Sequence, residues 1–335
     1  MTDPIPSQPK ARITARDVAR DAGVSVAAVS RAFTPGAPIA DVTRARILAA
    51  AEALGYATPS GRAIGALGAR TVAAVMGDMA NPFYPAALEL LAEALAARGQ
   101  RLLLHAAAPG RDVDSVMAQV LDHRADAAII ASAHLSSDLA RACRARRMPV
   151  VLLNRVQADK GLNAVCCDNY GGARVVADRF LAQGHRRIAM IDGAPGVSTG
   201  AERRRGFVDR LAEDGIAPTV LRGHFNHDRA MKAAEALLTG PAPPDAIFAA
   251  NDLMALAALG CARRLGLRVP DDVAIIGFDD IPMAAWHAWD LTTMRQPIRA
   301  MLAATLDLID AQIADPDAPA QIRILPARLM VRASG

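Results

Sequence analysis

The sequence predicts a small all-α head followed by a two-lobed α/β body with parallel sheets, and three observations predict it. Residues 14–55 carry three short helical patterns, the first two separated by Gly23. From residue 71 onward, apolar runs alternate with amphipathic stretches, as strand–helix units do when both faces of a parallel sheet are covered. These runs are too many for one compact sheet, so two similar lobes are the natural division.

The head comes first. Ala15–Asp21 reads as a helix with Val18 and Ala19 facing inward. Gly23 stands where a tight interhelical turn needs positive φ, a conformation that costs glycine little. Ser25 is a good N-cap for the next helix, in which Val29 and Ala32 point back at the first. That leaves Val26, Ala27, Ala28 and Arg31 outside. Charge agrees with an exposed role. Residues 1–70 hold nine Lys or Arg against five acids, and the remainder holds twenty-nine of each, so the whole excess of +4 lies in the first fifth of the chain. A basic segment on a neutral body is the footprint of a polyanion-binding head.

Residues 1–11 are Pro-rich and polar and are expected to be disordered. Residues 58–70 carry Gly61, Gly65 and Gly68 and read as a linker after a head of residues 12–57. The body then runs from 71 to 335. Its strand-like runs are 72–78, 101–106, 126–132, 149–154, 187–192, 245–251 and 272–280. Helical patterns cover 84–98, 138–147, 171–183, 202–214, 228–239 and 252–265. The first lobe is expected to span 71–167 plus 293–320, and the second 168–292 plus 321–332.

Several function classes drop out. The start of the chain has no apolar signal core, and no apolar stretch reaches membrane-spanning length without a charge. A soluble, cytoplasmic protein with no membrane partner is expected. Cys143, Cys166, Cys167 and Cys261 lack metal-ligand spacing and read as buried thiols, so neither a metal nor a cofactor is expected. Gly196–Gly200 satisfies G-x-S-x-G, but Ser198 lies about six residues past the end of its strand, whereas a nucleophile elbow sits on the strand end itself. A hydrolase using Ser198 is therefore the remote alternative, and no enzyme is expected. A solute receptor without a DNA role fits the lobes but not the basic head.

The stretch DVAxxAGVSxxxVSR, followed by TRxRILAAAExLGY over 43–56, resembles the head of the lactose/galactose-repressor family, and the similarity continues over nearly the whole chain. The resemblance implies a helix-turn-helix head and a body like a type I periplasmic binding protein. It implies a homodimer on near-palindromic double-stranded operator DNA, controlled by a small effector between the lobes. Val26, Ala27 and Ala28 then occupy base-reading positions, and Arg31 contacts a base edge or a phosphate. An arginine holding guanine in a bidentate manner discriminates by about 1–3 kcal/mol. Thr14, Ser25, Ser30 and Thr43 are candidates for phosphate contact, which positions without specifying.

Two features depart from the family pattern near the head: Thr34 stands where Asn is usual, and Ala40 where a Ser caps the third helix, with Asp41 as the substitute cap. In the linker, the family's minor-groove leucine is replaced at the corresponding place by Gly65. Either Ile64 or Leu67 serves as the wedge, or the wedge is weak.

Ligands of such lobes sit at the carboxyl ends of the strands. Phe83 and Tyr84 follow the first strand, Ser132 and His134 the third, and Asn154 and Arg155 the fourth. Of these, Phe83, Tyr84, Ser132 and Asn154 are the candidates. In the second lobe the resemblance assigns Thr199 as a hydroxyl contact, Arg203 as the ligand-binding arginine, Phe225 as an aromatic wall, Asn251 as the cleft amide and Asp279 as the cleft carboxylate. Asp252 and Asp280 read as caps or structural residues. Trp286 is expected to close over the ligand or fill an interlobe gap, and Gln296 lies where the chain crosses back between lobes. Carboxylate, amide and guanidinium together suit vicinal hydroxyls, so a sugar or polyol is favoured, with a nucleobase or a carboxylated metabolite as the alternative because Arg203 would pair an anion.

Overall fold

The computed structural model describes residues 13–33, 37–54, 56, 70–106, 113–123, 125–131, 136–157 and 161–335. The chain divides into two compact units, one ending at Ala69 and one beginning at Arg70.

The first unit holds α1 (Ala15–Asp21), α2 (Val26–Ala32) and α3 (Asp41–Ala53). Asp17 in the first turn of α1 accepts from the Thr14 backbone N–H at 2.9 Å and from its hydroxyl at 2.7 Å, tying down the helix start. Gly23 takes φ +62° between the helices. The Ser25 hydroxyl accepts from the Ala28 N–H at 3.1 Å, so α2 is capped as expected. Val18, Val29, Ile47, Ala51 and Tyr56 close a small core. The Arg44 guanidinium clasps the end of α2 through the carbonyls of Ala32 at 2.8 Å and Ala37 at 3.0 Å. Asp41 is the first helical residue of α3 rather than its cap; the cap position belongs to Ala40, whose carbonyl accepts from Arg44 N–H.

The second unit is two sheets with helices on both faces. Lobe one uses β1 (Thr71–Met76), β2 (Arg101–Ala106), β3 (Ala127–Ala131), β4 (Val150–Leu153), β5 (Asn163–Cys167) and β11 (Ile322–Leu325), ordered β11-β5-β4-β3-β1-β2 and parallel throughout. Its helices are α4 (Phe83–Ala97), α5 (Val113–Asp122), α6 (Ser137–Ala145) and α11 (Ile298–Ala314). Lobe two uses β6 (Ile188–Asp192), β7 (Thr219–Arg222), β8 (Ala246–Ala249), β9 (Ala274–Asp279), β10 (Thr292–Arg295) and β12 (Arg328–Met330), ordered β12-β10-β9-β8-β6-β7. Only the β10–β12 pairing in this sheet is antiparallel. Its helices are α7 (Asn169–Ala182), α8 (Ser198–Ala212), α9 (His227–Leu238) and α10 (Asp252–Arg264).

Central strands such as β3, β4, β6 and β8 are buried along their whole length, which is why they read as unbroken apolar runs. Asp168, Asn226 and Asn251 each accept a helix-start N–H, fixing where α7, α9 and α10 begin. Helices α7 and α8 approach so closely that a Cβ on Gly206 would lie 2.2 Å from the Tyr170 carbonyl oxygen.

The expected lobe boundary needs correction. Residues 322–325 pair with β5 and so belong to lobe one, while 292–295 pair with β9 and belong to lobe two. The chain therefore passes between lobes after Cys167, after Arg295 and after Leu325. β7 and β11 went unread because they are four-residue edge strands with no fully buried residue, not apolar runs. β10 is hidden by its threonines, which are buried because their hydroxyls find partners: Thr293 donates to Asp252 at 2.5 Å and Thr292 to the Gly335 carbonyl at 3.0 Å.

Candidate functional site

On the head, Thr14, Ser25, Val26, Ala27, Ser30 and Arg31 are exposed, and Thr43 is half-buried. Ala28 departs from expectation. It is partly buried against the head's core, because one turn after the cap the helix has rotated that position inward. The outer face of α2 is therefore Val26, Ala27, Ser30 and Arg31, with nearly half of Val26 exposed. Ile64 and Leu67 of the expected wedge, and Thr34, lie outside the described residues.

In the body, the ends of strands from both lobes converge on one narrow polar cavity. It is lined by Asp78, Asn81, Tyr84, Asn154 and Arg155 from lobe one and by Thr199, Arg203, Phe225, Asn251 and Asp279 from lobe two. Its volume is about 20 Å³, room for about one water, so the lobes are closed on each other. The loops after β1 and β3, and after β6 and β8, leave their sheets in opposite directions, and the cavity lies at these switch points.

Backbone strain aims the side chains. Asp78 (φ +52°), Asn154 (φ +56°), Phe225 (φ +57°) and Asp279 (φ +130°) all hold left-handed conformations at or just past strand ends. Each costs on the order of 1–3 kcal/mol and persists only where surrounding structure fixes it.

Arg203 is the most constrained group. Its Nε donates to Asn169 Oδ1 at 2.8 Å, one terminal nitrogen to the Ala250 carbonyl at 2.6 Å, and the other to Asp279 Oδ1 at 3.2 Å. Its guanidinium carbon stacks 3.8 Å from the Phe278 ring centroid. Gln296 donates to the same Asp279 oxygen at 2.7 Å. Arg155, also buried, crosses the lobe boundary by donating to Thr199 Oγ1 at 3.1 Å. Two carboxylates thus face two guanidiniums, and the lining charge is balanced.

Burial pushes the Asp279 carboxyl above its ordinary value, opposed by Arg203 and Gln296. Burial also raises Asp78, opposed by the Arg155 charge. Behind the cavity, fully buried Asp252 is pushed up to about 8, first by burial and then by the Asp279 charge.

Asn251 lines the cavity as expected and also takes the capping role expected of Asp252. Asn251 Oδ1 caps α10 by accepting from Met254 N–H at 3.0 Å, while its Nδ2 has no partner. Asp252 instead accepts from Ile281 N–H at 2.8 Å and from the Thr293 hydroxyl, holding the β9 and β10 ends together. Asp280 is structural, bridging Arg332 at 2.6 Å and Arg295 at 2.5 Å.

Among the expected contacts, Tyr84, Asn154, Thr199, Arg203, Phe225, Asn251 and Asp279 meet at the cavity, and Gln296 supports Asp279. Two do not meet there. Phe83 packs into the core, edge-on to Tyr84 with centroids 5.3 Å apart, because the helix start that aims Tyr84 at the cleft turns its neighbour inward. Trp286 is 57% exposed beyond the 3-10 turn and lines no part of the cavity. Ser132 lies outside the described residues. Asp78 and Asn81 were missed, and Arg155 was noted after its strand but is not among the candidates; each lies past a strand end, the same signal that found Asn154.

The hydrolase alternative loses ground on geometry. Ser198 opens α8 after a loop of residues 193–197, and its Oγ accepts from Val156 N–H at 3.4 Å. The four cysteines are buried free thiols. Among the described residues no helix is long and apolar enough to cross a membrane.

Comparison with known proteins agrees with both halves of the chain. Residues 14–59 match the family described as bacterial regulatory proteins, lacI family, and residues 177–335 match the periplasmic binding protein-like domain. The HTH-type transcriptional repressor CytR of Escherichia coli K12 is 30% identical over 326 residues, 96% of each chain. The solved complex of the transcriptional regulator CelR with cellobiose is 31% identical, with a TM-score of 0.72 over 97% of this chain and all of that one. The lac repressor dimer bound to operator and the anti-inducer ONPF has a TM-score of 0.77 over 96% of this chain and 99% of that one; at 23% identity it shows the shared fold.

Proposed function

The chain belongs to the lacI family of bacterial regulatory proteins, and from that premise we propose that it is a transcriptional repressor whose operator affinity is set by a neutral sugar or polyol held between its lobes. The observation that carries the effector half is a pair of buried polar atoms without partners on cavity-lining residues, Asn154 Oδ1 and Asn251 Nδ2. Leaving such atoms unmet costs about 1–3 kcal/mol each, and a hydroxylated ligand offers a donor to one and an acceptor to the other. Because Asp78 and Asp279 balance Arg155 and Arg203, a ligand without net charge suits the site better than an anion. The three directions of Arg203 are already committed, so Asp279 and Arg155 are the charged groups best placed to exchange partners with it.

Two heads would read the half-sites of a near-palindromic operator in the cytoplasm, through Arg31 and the small face of Val26 and Ala27, as a homodimer. Closing or opening of the lobes would shift the dimer between DNA-competent and incompetent populations. The CelR–cellobiose complex and the repressor CytR support the effector and DNA-binding assignments by kinship. No catalytic role is assigned to Ser198.

The test is a pair of variants of the full chain. Arg31→Ala is expected to weaken binding to the protein's own upstream DNA at least about tenfold while a thermal-shift screen of sugars and polyols gives unchanged responses. Asp279→Asn is expected to keep DNA binding and lose the sugar response. Unchanged operator affinity in Arg31→Ala would remove α2 from the reading face.

A further inference from the structure

A second, larger cavity lies on lobe two outside the interlobe cleft. Its volume is about 440 Å³, and its walls come from the loop after β6, the outward side of α8 and the end of β7. Asp192, Arg204 and Arg222 are its charged groups without a committed hydrogen-bonding partner side chain. Arg205 and Asp209 also line it, but Arg205 is paired with Glu202 at 2.6 Å and Asp209 accepts from the Tyr170 hydroxyl at 3.1 Å.

The frame is rigid. The Asp192 backbone carbonyl accepts from Gly223 N–H at 2.8 Å and from His224 N–H at 3.2 Å, locking the β7 end against β6. Asp192 is 93% buried by its 7% exposure, and one carboxylate oxygen is taken by Gly193 N–H at 2.7 Å. The other oxygen stands 3.6 Å from an Arg204 terminal nitrogen, too long for a hydrogen bond. Arg222 makes no side-chain hydrogen bond among the described residues. The fields of Arg204, Arg222 and His224 all act on this carboxylate. A buried acceptor thus faces the cavity beside two guanidiniums with donors to spare, and the uncommitted charge is one positive unit.

We propose that this cavity is a second small-molecule site, which takes a phosphorylated polyol with its phosphate on Arg204 and Arg222 and a hydroxyl on Asp192. Guanidinium forks match phosphate oxygens in pairs, and the Asp192 oxygen not taken by Gly193 is left for a neighbouring hydroxyl. Alanine and proline walls at Ala194, Pro195 and Ala201 give room for a carbon chain without demanding an aromatic partner. The site is distinct from the cleft. Its occupant is anionic, whereas the cleft has balanced charge, although the loops after β6 and β7 also send Thr199 and Phe225 to the cleft.

The probe is sn-glycerol 3-phosphate, with glycerol as the uncharged comparison, titrated into the full-length protein by calorimetry at low salt. Glycerol 3-phosphate is expected to bind and glycerol not. Arg222→Ala and Arg204→Ala are each expected to weaken it about tenfold or more, since each removes charge-assisted contacts. Asp279→Asn in the cleft and Arg31→Ala on the head should leave it unchanged. No binding by the wild type, equal binding of glycerol, or an affinity indifferent to both Arg204→Ala and Arg222→Ala overturns the proposal. Loss in Asp279→Asn or Arg31→Ala would place the phosphate elsewhere and overturn it too. Both arginines are exposed, and a thermal midpoint near the wild type's shows that each variant remains folded.

Discussion

Replacing Arg203 with leucine removes a guanidinium whose side chain is 3% exposed, together with its three hydrogen bonds and its stack on Phe278. Asp279 then keeps only the Gln296 amide among its donors, and its side chain is 4% exposed. Breaking one partner of a buried ion pair costs about 3–5 kcal/mol, because the other charge is left desolvated. For a body of this size each kcal/mol moves the midpoint by about 2 °C, which gives a fall of about 6–10 °C. The comparison that isolates burial is the next residue. Arg204 carries the same chemistry but is 49% exposed and sits 3.6 Å from Asp192. With Arg204 half exposed and the contact to Asp192 too long for a hydrogen bond, the pair contributes about 0–1 kcal/mol, so Arg204→Leu is expected to move the midpoint by about 2 °C or less. Differential scanning calorimetry of the two variants beside the wild type makes the measurement. A fall of under 2 °C in Arg203→Leu, or equal falls in both variants, would refute the claim that Arg203 is the structural centre of the cleft.

Two other outcomes follow from the same interior. Asp252 holds its proton to about pH 8 when folded against an ordinary value of 3.8, so the folded state binds the proton more tightly than the unfolded chain. Its contribution is therefore most favourable at low pH and declines as pH rises through that window. Asp252→Asn keeps an acceptor for Ile281 and places a donor toward Thr293, so the variant's thermal midpoint should fall less than the wild type's between pH 6 and pH 8. Parallel profiles would count against a protonated Asp252. Gly206→Ala drives a methyl to 2.2 Å from the Tyr170 carbonyl and must push α8 off α7. Overpacking of this kind costs about 1–3 kcal/mol, read as a lower urea midpoint; an unchanged midpoint would mean the helix pair can slide at no cost.

How much was legible depends on how local the determinant was. The head was readable because each device is short-range: apolar residues on the inner face of α1, a glycine at the turn, a serine cap three residues before the N–H it binds. Ala28 was misplaced because the sequence shows only that it lies beyond the cap, while the third helix decides how far inward the next turn points. The central strands were readable because burial on both faces demands continuous Val, Ile and Ala. Strands β10 and β11 were not, since one hides buried threonines whose partners are distant in sequence and the other is a half-exposed edge.

The cleft divides in the same way. Position just past a strand end marked Tyr84, Asn154 and Arg155, though Arg155 is not among the candidates, and would equally have marked Asp78, while the resemblance marked Asn251. The resemblance singled out Arg203 in the run Arg203–Arg204–Arg205, and tertiary contact supplies the physical reason for the difference. One is buried against Asn169, Asp279 and Phe278, the next faces a separate cavity, and the third pairs on the surface with Glu202. The sequence by itself determined a basic three-helix head and a twofold series of strand–helix units, because helical and strand periods and caps act over a few residues. Which polar groups become neighbours, which carboxyl keeps its proton, and to which lobe residues 292–295 and 322–325 belong were decided by the folded chain alone. Those outcomes depend on burial and on contacts between residues far apart in sequence, which no local pattern records.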